Sequence, residues 1–285
     1  MHAPTKNQDA IVTAQTPRPL AKLSLKWNMI EEDGLSILEK FQLTKDLGFD
    51  GIEIDSPGDL PLAEVIAARD KTGLTVPGVV NCQHWQLPLT DPDPAVRQAC
   101  VDATIAALDE AQQLGATTVL LVPGVVKPGT SYKTAYELAV SEIARILPHT
   151  DRTGVSLAIE NVWNDFLLSP LEAARFIDTF EHPRIGWYFD VGNVLRYVRP
   201  VDWIEALGQR IFKIDMKEFS LKKMDAEGTW KGFDVALGDG DCDWPAVNRA
   251  LSAVGYSGWA SVEMPGGDRK HLADLKARAD RAVAA

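Results

Sequence analysis

From residue 22 to the C-terminus the chain alternates, eight times over, a short β-forming run with a longer stretch of helical period. That rhythm constrains the fold more than any single motif. A strand followed by a helix delivers the chain back parallel to itself, so repetition builds a parallel sheet covered by helices. Strands are expected at residues 23–29, 51–54, 75–81, 117–122, 155–160, 185–190, 211–217 and 259–264. Helices are expected at 35–47, 62–72, 95–114, 132–150, from Ser169-Pro170 onward, 201–207, 244–254 and after Asp268. Gly48, Gly73 and Gly115 each follow a helical run as a C-terminal signal, and Ser169-Pro170 pairs an N-cap with a first-turn proline. The strands read as nearly continuous apolar runs, as a sheet buried on both faces requires. Eight units in one uninterrupted stretch fit a single-domain TIM (β/α)8 barrel over 22–285 better than a doubly wound sheet. With 285 residues, 46% of them hydrophobic, one large core is affordable in size.

Two segments fall outside the rhythm. Residues 1–21 are polar and proline-containing, without the apolar centre of a signal peptide, and are expected as a disordered or extended leader. Residues 218–243 separate strand seven from its helix by a length usual for a functional loop, and are expected to form a lid over the site.

A net charge of −11 disfavours a nucleic-acid or anionic-membrane partner. No apolar run approaches the roughly 18 residues of a membrane span. The three cysteines, Cys82, Cys100 and Cys242, are widely spaced without a CxxC pair, which reads as reduced thiols. The expected compartment is the cytoplasm, on the assumption that no signal segment has been removed ahead of residue 1. Assembly into a homo-oligomer is left open.

Four of the predicted strands close on an acid. Glu160 ends Leu157-Ala158-Ile159-Glu160, Asp190 ends the run to Phe189, Asp215 follows Phe212-Lys213-Ile214, and Glu263 follows Ala260-Ser261-Val262. These are strands five to eight, and active sites of (β/α)8 barrels lie at the C-terminal strand ends. Period-two alternation puts Ala158 and Ser156 on the face of Glu160, Tyr188 and Gly186 on that of Asp190, and Ser261 on that of Glu263. In strand two, Gly51, Glu53 and Asp55 share a face. Four clustered carboxylates would repel one another unless protonated or bound to a cation. The all-oxygen set favours one hard divalent ion, Mn²⁺ or Mg²⁺, ahead of Co²⁺ or Zn²⁺.

The motifs Gly48-Phe49-Asp50-Gly51-Ile52-Glu53, Ile159-Glu160-Asn161, Phe189-Asp190-Val191-Gly192-Asn193 and Ser261-Val262-Glu263 resemble the xylose isomerase-like TIM-barrel superfamily. Within it they look most like the sugar phosphate isomerase/epimerase group, which includes D-tagatose 3-epimerase-like enzymes. The resemblance implies metal ligands from strands five to eight, typically Glu, Asp, His and Glu, with the two glutamates also serving as the acid/base pair. Glu160, Asp190 and Glu263 match. Asp215 stands where the epimerases have histidine, although xylose isomerase itself uses a carboxylate on that strand. Asn193 stands where many relatives have histidine.

The implied reaction is sugar isomerisation or epimerisation. A proton is removed next to a carbonyl, an enediolate forms, and the proton returns to the opposite face or to the neighbouring carbon. The expected partner is a small sugar or sugar derivative. Expected substrate contacts are Lys217, two residues past Asp215, His84 and Trp85 past strand three, Asn193, Glu53, Trp27 and Trp163; Trp230 in the long loop is a further aromatic candidate. Asp268 after Pro265-Gly266-Gly267 opposes an anion in that turn, so a phosphorylated substrate is not favoured. Competing readings are a lyase acting on 3-keto-glycosides by β-elimination and a non-catalytic sugar-binding barrel. A zinc-dependent AP endonuclease, which shares the barrel, needs a histidine-rich cluster, and only His84 falls near the strand ends.

Overall fold

A computed structural model describes residues 21–285. The expected leader therefore lies outside the described residues except for its last position. Ala21 is buried immediately ahead of the first strand.

Eight parallel strands close into a barrel in sequence order. They are β1 (Lys22–Lys26), β2 (Gly51–Ser56), β3 (Gly78–Asn81), β4 (Thr118–Leu121), β5 (Ser156–Glu160), β6 (Ile185–Asp190), β7 (Ile211–Met216) and β8 (Trp259–Val262). The surrounding helices are α1 (Ile37–Asp46), α2 (Leu62–Thr72), α3 (Pro94–Leu114), α4 (Tyr132–Thr153), α5 (Pro170–Asp178), α6 (Pro200–Leu207), α7 (Leu221–Glu227), α8 (Trp244–Ala253) and α9 (Arg269–Ala284). The expected barrel is thus present, with every expected strand and helix in place. β8 pairs with β1 through Leu23 and Ala260, and with β7 through Asp215 and Ser261, so no edge is left open.

Boundaries moved where local chemistry intervenes. The third strand was expected from residue 75, but Pro77 has no N–H to give a ladder. Thr75 keeps one isolated bridge to Gly51, and regular pairing starts at Gly78 with β4 and at Val79 with β2. The first strand stops at Lys26 because Trp27–Met29 winds into a 3₁₀ turn. Helix ends follow their signals: Ser36 and Glu39 form a reciprocal capping box on α1, and Ser169 caps α5 with Pro170 in its first turn.

The alternation along each strand separates two cores. Ile52, Ile54, Leu157, Ile159, Trp187, Phe189 and Val262 face outward into the layer shared with the helices. Trp203 of α6 meets Trp187 and Phe189 there, ring centroids 6.0 and 6.3 Å away. Leu120, Ala158 and Tyr188 instead form a small cluster inside the barrel, with Val80 against it. This is the parity expected for β5 and β6.

The 218–243 segment folds into α7 and a 3₁₀ turn at Thr229–Phe233. Its two ends are tied by Glu218, which is fully buried. The Glu218 carboxylate accepts from the backbone N–H of Gly238 (2.7 Å) and Cys242 (3.0 Å) and from Trp244 Nε1 (3.0 Å). Glu218→Ala orphans these donors, each at a cost of about 1–3 kcal/mol. The expected result is rapid proteolysis within residues 219–242 of a chain whose barrel stays folded. Cleavage no faster than in the wild type would show that the anchor is dispensable.

Candidate active site

The four strand-end acids converge. Glu160, Asp190, Asp215 and Glu263 each present an oxygen, and these atoms lie within 4.8 Å of one another. Register explains the meeting: Asp190 pairs with Asp215 across β6 and β7, and Asp215 with Ser261 across β7 and β8. Glu263 lies one residue beyond β8, held by its N–H donating to Met216 O at 3.1 Å.

Two lysines enter the cluster. Lys217 Nζ sits 2.9 Å from Asp190 Oδ2 and 2.6 Å from Glu263 Oε1. Lys26, at the end of β1, donates to Asp215 Oδ2 at 2.7 Å and also to Glu263 Oε2. Lys26 went unnoticed in the sequence although a signal was there. Ser24 and Lys26 alternate with the apolar Leu23 and Leu25, placing both on the inner face. Trp27, just past the strand in the 3₁₀ turn, leaves that face. It packs on Phe41 (6.4 Å between centroids), beneath the Lys40 ammonium, and lines neither cavity at the barrel mouth. Trp27, expected to contact substrate, thus stands outside the lining of both cavities.

Glu53 also differs from its expected place. Its parity is inward, but it lies below the mouth, with Lys213 Nζ on Oε1 and Tyr188 OH donating to Oε2 at 2.8 Å. Both oxygens are committed, and neither cavity touches it. Asp55, two residues on, reaches the wall instead. Gly78 permits the buried pair: a Cβ there would stand 2.8 Å from both Glu53 Oε1 and Lys213 Nζ. Lys213, like Lys26, was legible only as a member of the alternating set Lys213, Asp215 and Lys217.

The remaining expected contacts lie at the mouth. Trp163, Asn193 and Lys217 line one cavity of about 430 Å³; His84 lines a second of about 510 Å³. Glu160, Glu263 and Trp85 border both. Asn193 also braces the site: its N–H donates to Asp190 Oδ1 (2.8 Å), its Nδ2 to Asn161 O (3.0 Å), and its carbonyl accepts from Trp163 Nε1 (2.8 Å). Gly192 beside it is required by close approach, since a Cβ would come within 2.9 Å of the Lys217 backbone. Buried His84 accepts from Val122 N–H through Nδ1 at 3.4 Å. Burial, reinforced by Lys26, lowers its pKa to about 3, so the ring is neutral.

Electrostatics divide the acids. Burial and the neighbouring Glu263 raise Glu160 to about 8. Burial also raises Asp190 and, more strongly, Asp215. Burial would raise Glu263 too, but Lys217 and Lys26 hold it well below the usual carboxylate range. Asp215 Oδ1 is buried without a hydrogen-bond partner, and Asp190 Oδ2 has only the Lys217 ammonium beside it, 2.9 Å away. Four converging carboxylates, one with an unpartnered buried oxygen, fit a divalent cation.

A closed parallel barrel with an acidic cluster at its C-terminal mouth defines the class. The family profile described as "Xylose isomerase-like TIM barrel" matches residues 41–284, and the chain belongs to that family. It is similar to the L-ribulose-5-phosphate 3-epimerase UlaE of Escherichia coli O1:K1 / APEC, 26% identical over 248 residues, 80% of this chain and 81% of that protein. Among solved structures, an L-ribulose 3-epimerase superimposes with a TM-score of 0.77 at 17% identity, covering 93% of this chain and 95% of that one. The 3-keto-D-glucoside 4-epimerase YcjR of E. coli gives 0.75 at 16% identity, covering 93% and 100%. Among the described residues, no helix is long and apolar enough to cross a membrane.

Proposed function

We propose that the chain is a divalent-metal-dependent sugar epimerase or isomerase, with Glu160 and Glu263 as its acid/base pair. The observation carrying this reading is geometric: Glu160, Asp190, Asp215 and Glu263 bring oxygens within 4.8 Å of one another at the barrel mouth, and Glu160 and Glu263 both border the two cavities there. Glu263 takes the proton beside the carbonyl and Glu160 returns one, each glutamate changing its protonation state in the turnover. Return to the opposite face inverts the carbon; return to the neighbouring carbon would exchange aldose for ketose.

Glu160, Asp190, Asp215 and Glu263 would hold the ion. When bound, Mn²⁺ or Mg²⁺ would polarise the carbonyl and stabilise developing negative charge. Lys217, between Asp190 and Glu263, keeps Glu263 ionised and places an ammonium beside the reacting oxygens. Asn193 fixes Asp190, and neutral His84 and Trp163 offer hydrogen-bonding and apolar contacts to the sugar. The 218–243 segment, carrying Trp230 and Phe233 to the cavity, would act as the lid. The sugar epimerases among the relatives support the reaction class.

Solvent-deuterium incorporation by Mn²⁺-reconstituted protein across a panel of ketoses and aldoses tests the reading. Label next to the carbonyl is expected for at least one sugar. Consumption of keto-glycosides with loss of a substituent, and no exchange into free sugars, would favour the lyase instead.

Metal uptake should depend on pH. Below about 8 the metal-free Glu160 carries a proton that the ion must displace. Affinity for Mn²⁺ is therefore expected to rise about tenfold per pH unit between 6 and 8, with at least one proton released per ion. Calorimetry in two buffers of different ionisation enthalpy counts the protons. Uptake without release would place the ion elsewhere.

A further inference from the structure

We infer that the site takes an unphosphorylated sugar carrying a second ring, with the reacting sugar at Glu160 and Glu263 and the second ring seated on Trp163, Trp230 and Phe233. This rests on the proposed proton-transfer reading for the position of the reacting ring alone.

The charge at the mouth argues against a phosphate. The only cations lining the two cavities, among the described residues, are Lys26 and Lys217, and both are paired with the carboxylates. The walls add Asp55, Glu218 and Asp234. Lys231 is paired with Asp234 at 2.6 Å, and the Arg196 guanidinium stacks 4.9 Å from the Trp163 ring without lining either cavity. At the turn before α9, two N–H groups are committed. Gly267 N–H donates to Met29 O at 3.0 Å, and Asp268 caps α9 through His271 N–H at 2.9 Å. A dianionic group would meet carboxylates, with no unpaired cation lining either cavity.

The same mouth is built for an apolar ring face. Trp163 lies 4.8 Å from Trp230 and 4.9 Å from Phe233, centroid to centroid, in one aromatic wall. Trp230 is 69% exposed, unusual for the largest apolar side chain. It is not a loose surface residue: it borders the same 430 Å³ cavity as Glu160 and Glu263. The space thus continues from the acids to the aromatic wall. A sugar's C–H face or an aryl aglycone stacks on such a wall, and covering Trp230 would remove its exposure.

Calorimetry on Mn²⁺-reconstituted protein compares D-fructose, D-fructose 6-phosphate, 6-O-benzyl-D-fructose and four glucosyl-fructoses differing only in linkage (turanose, maltulose, leucrose, isomaltulose). At least one two-ring ligand is expected to bind about tenfold tighter than fructose, an advantage that Trp230→Ala removes. The benzyl and glucosyl arms distinguish an aglycone from a second sugar. Fructose 6-phosphate is expected to bind no tighter than fructose. The subsite is overturned if no two-ring ligand beats fructose, if Trp230→Ala leaves the advantage intact, or if the phosphate ester binds tightest. Deuterium exchange on the same samples keeps the two readings apart. Exchange into free ketoses without a two-ring preference sinks the subsite alone. A Trp230-dependent preference without exchange into any ligand sinks the proton-transfer reading alone.

Discussion

A Glu263→Gln variant is expected to lose deuterium exchange by about 10²–10⁴-fold, the usual worth of a positioned general base. Gln fits the same space and keeps a carbonyl oxygen for one of the two lysines, but it cannot accept a proton. Glu160→Gln is expected to fall comparably, because a Gln there cannot carry the returning proton. Near-wild-type exchange in either variant would remove that glutamate from the mechanism. Because both carboxylates are also in the proposed ion site, Mn²⁺ content is measured alongside. A variant that retains the ion and loses exchange identifies a proton-transfer role; one that loses both identifies a binding role.

The second large effect is on stability. Lys213 and Glu53 form a buried ion pair below the barrel mouth, with Tyr188 completing the Glu53 contacts. Burial lowers the Lys213 pKa. Glu53, despite its burial, is held below the ordinary carboxylate value by Lys213 and Lys26. Lys213→Met leaves Glu53 without its main partner and is expected to cost about 3–5 kcal/mol of unfolding free energy. Denaturant titration reads the loss. Adding Glu53→Gln removes the stranded charge and should recover part of it; Glu53→Gln alone should cost less than Lys213→Met. A change under about 1 kcal/mol in Lys213→Met would mean that Lys26 or water already compensates the carboxylate.

Much of the site could be read because it is carried by strand ends. The run Leu157-Ala158-Ile159-Glu160 announces a strand, an inner face and an acid at its end, all within a few residues. The same holds around Asp190, Asp215 and Glu263, and the structure brings those four acids within 4.8 Å. Lys26 is harder to read because β1 closes on a cation rather than an acid, and only its alternation with Leu23 and Leu25 marks it as inward. Glu53 was placed on the correct face at the wrong height, since alternation gives the side of a strand and says nothing of its level against Tyr188 and Lys213.

The sequence by itself determined the eightfold rhythm, the inner and outer faces of most strands and the acids that close strands five to eight, because these follow from the period of a strand and the turn chemistry beside it. Only the tertiary structure decided which charges meet. The stagger between strands set Glu53 on Lys213 below the mouth and Lys26 on Asp215 and Glu263 at it. It also folded the 218–243 segment onto Glu218, so that Trp230 lines the same cavity as Glu160 and Glu263. Those contacts span from about 20 to more than 230 residues of chain, and no local period encodes a distance of that kind.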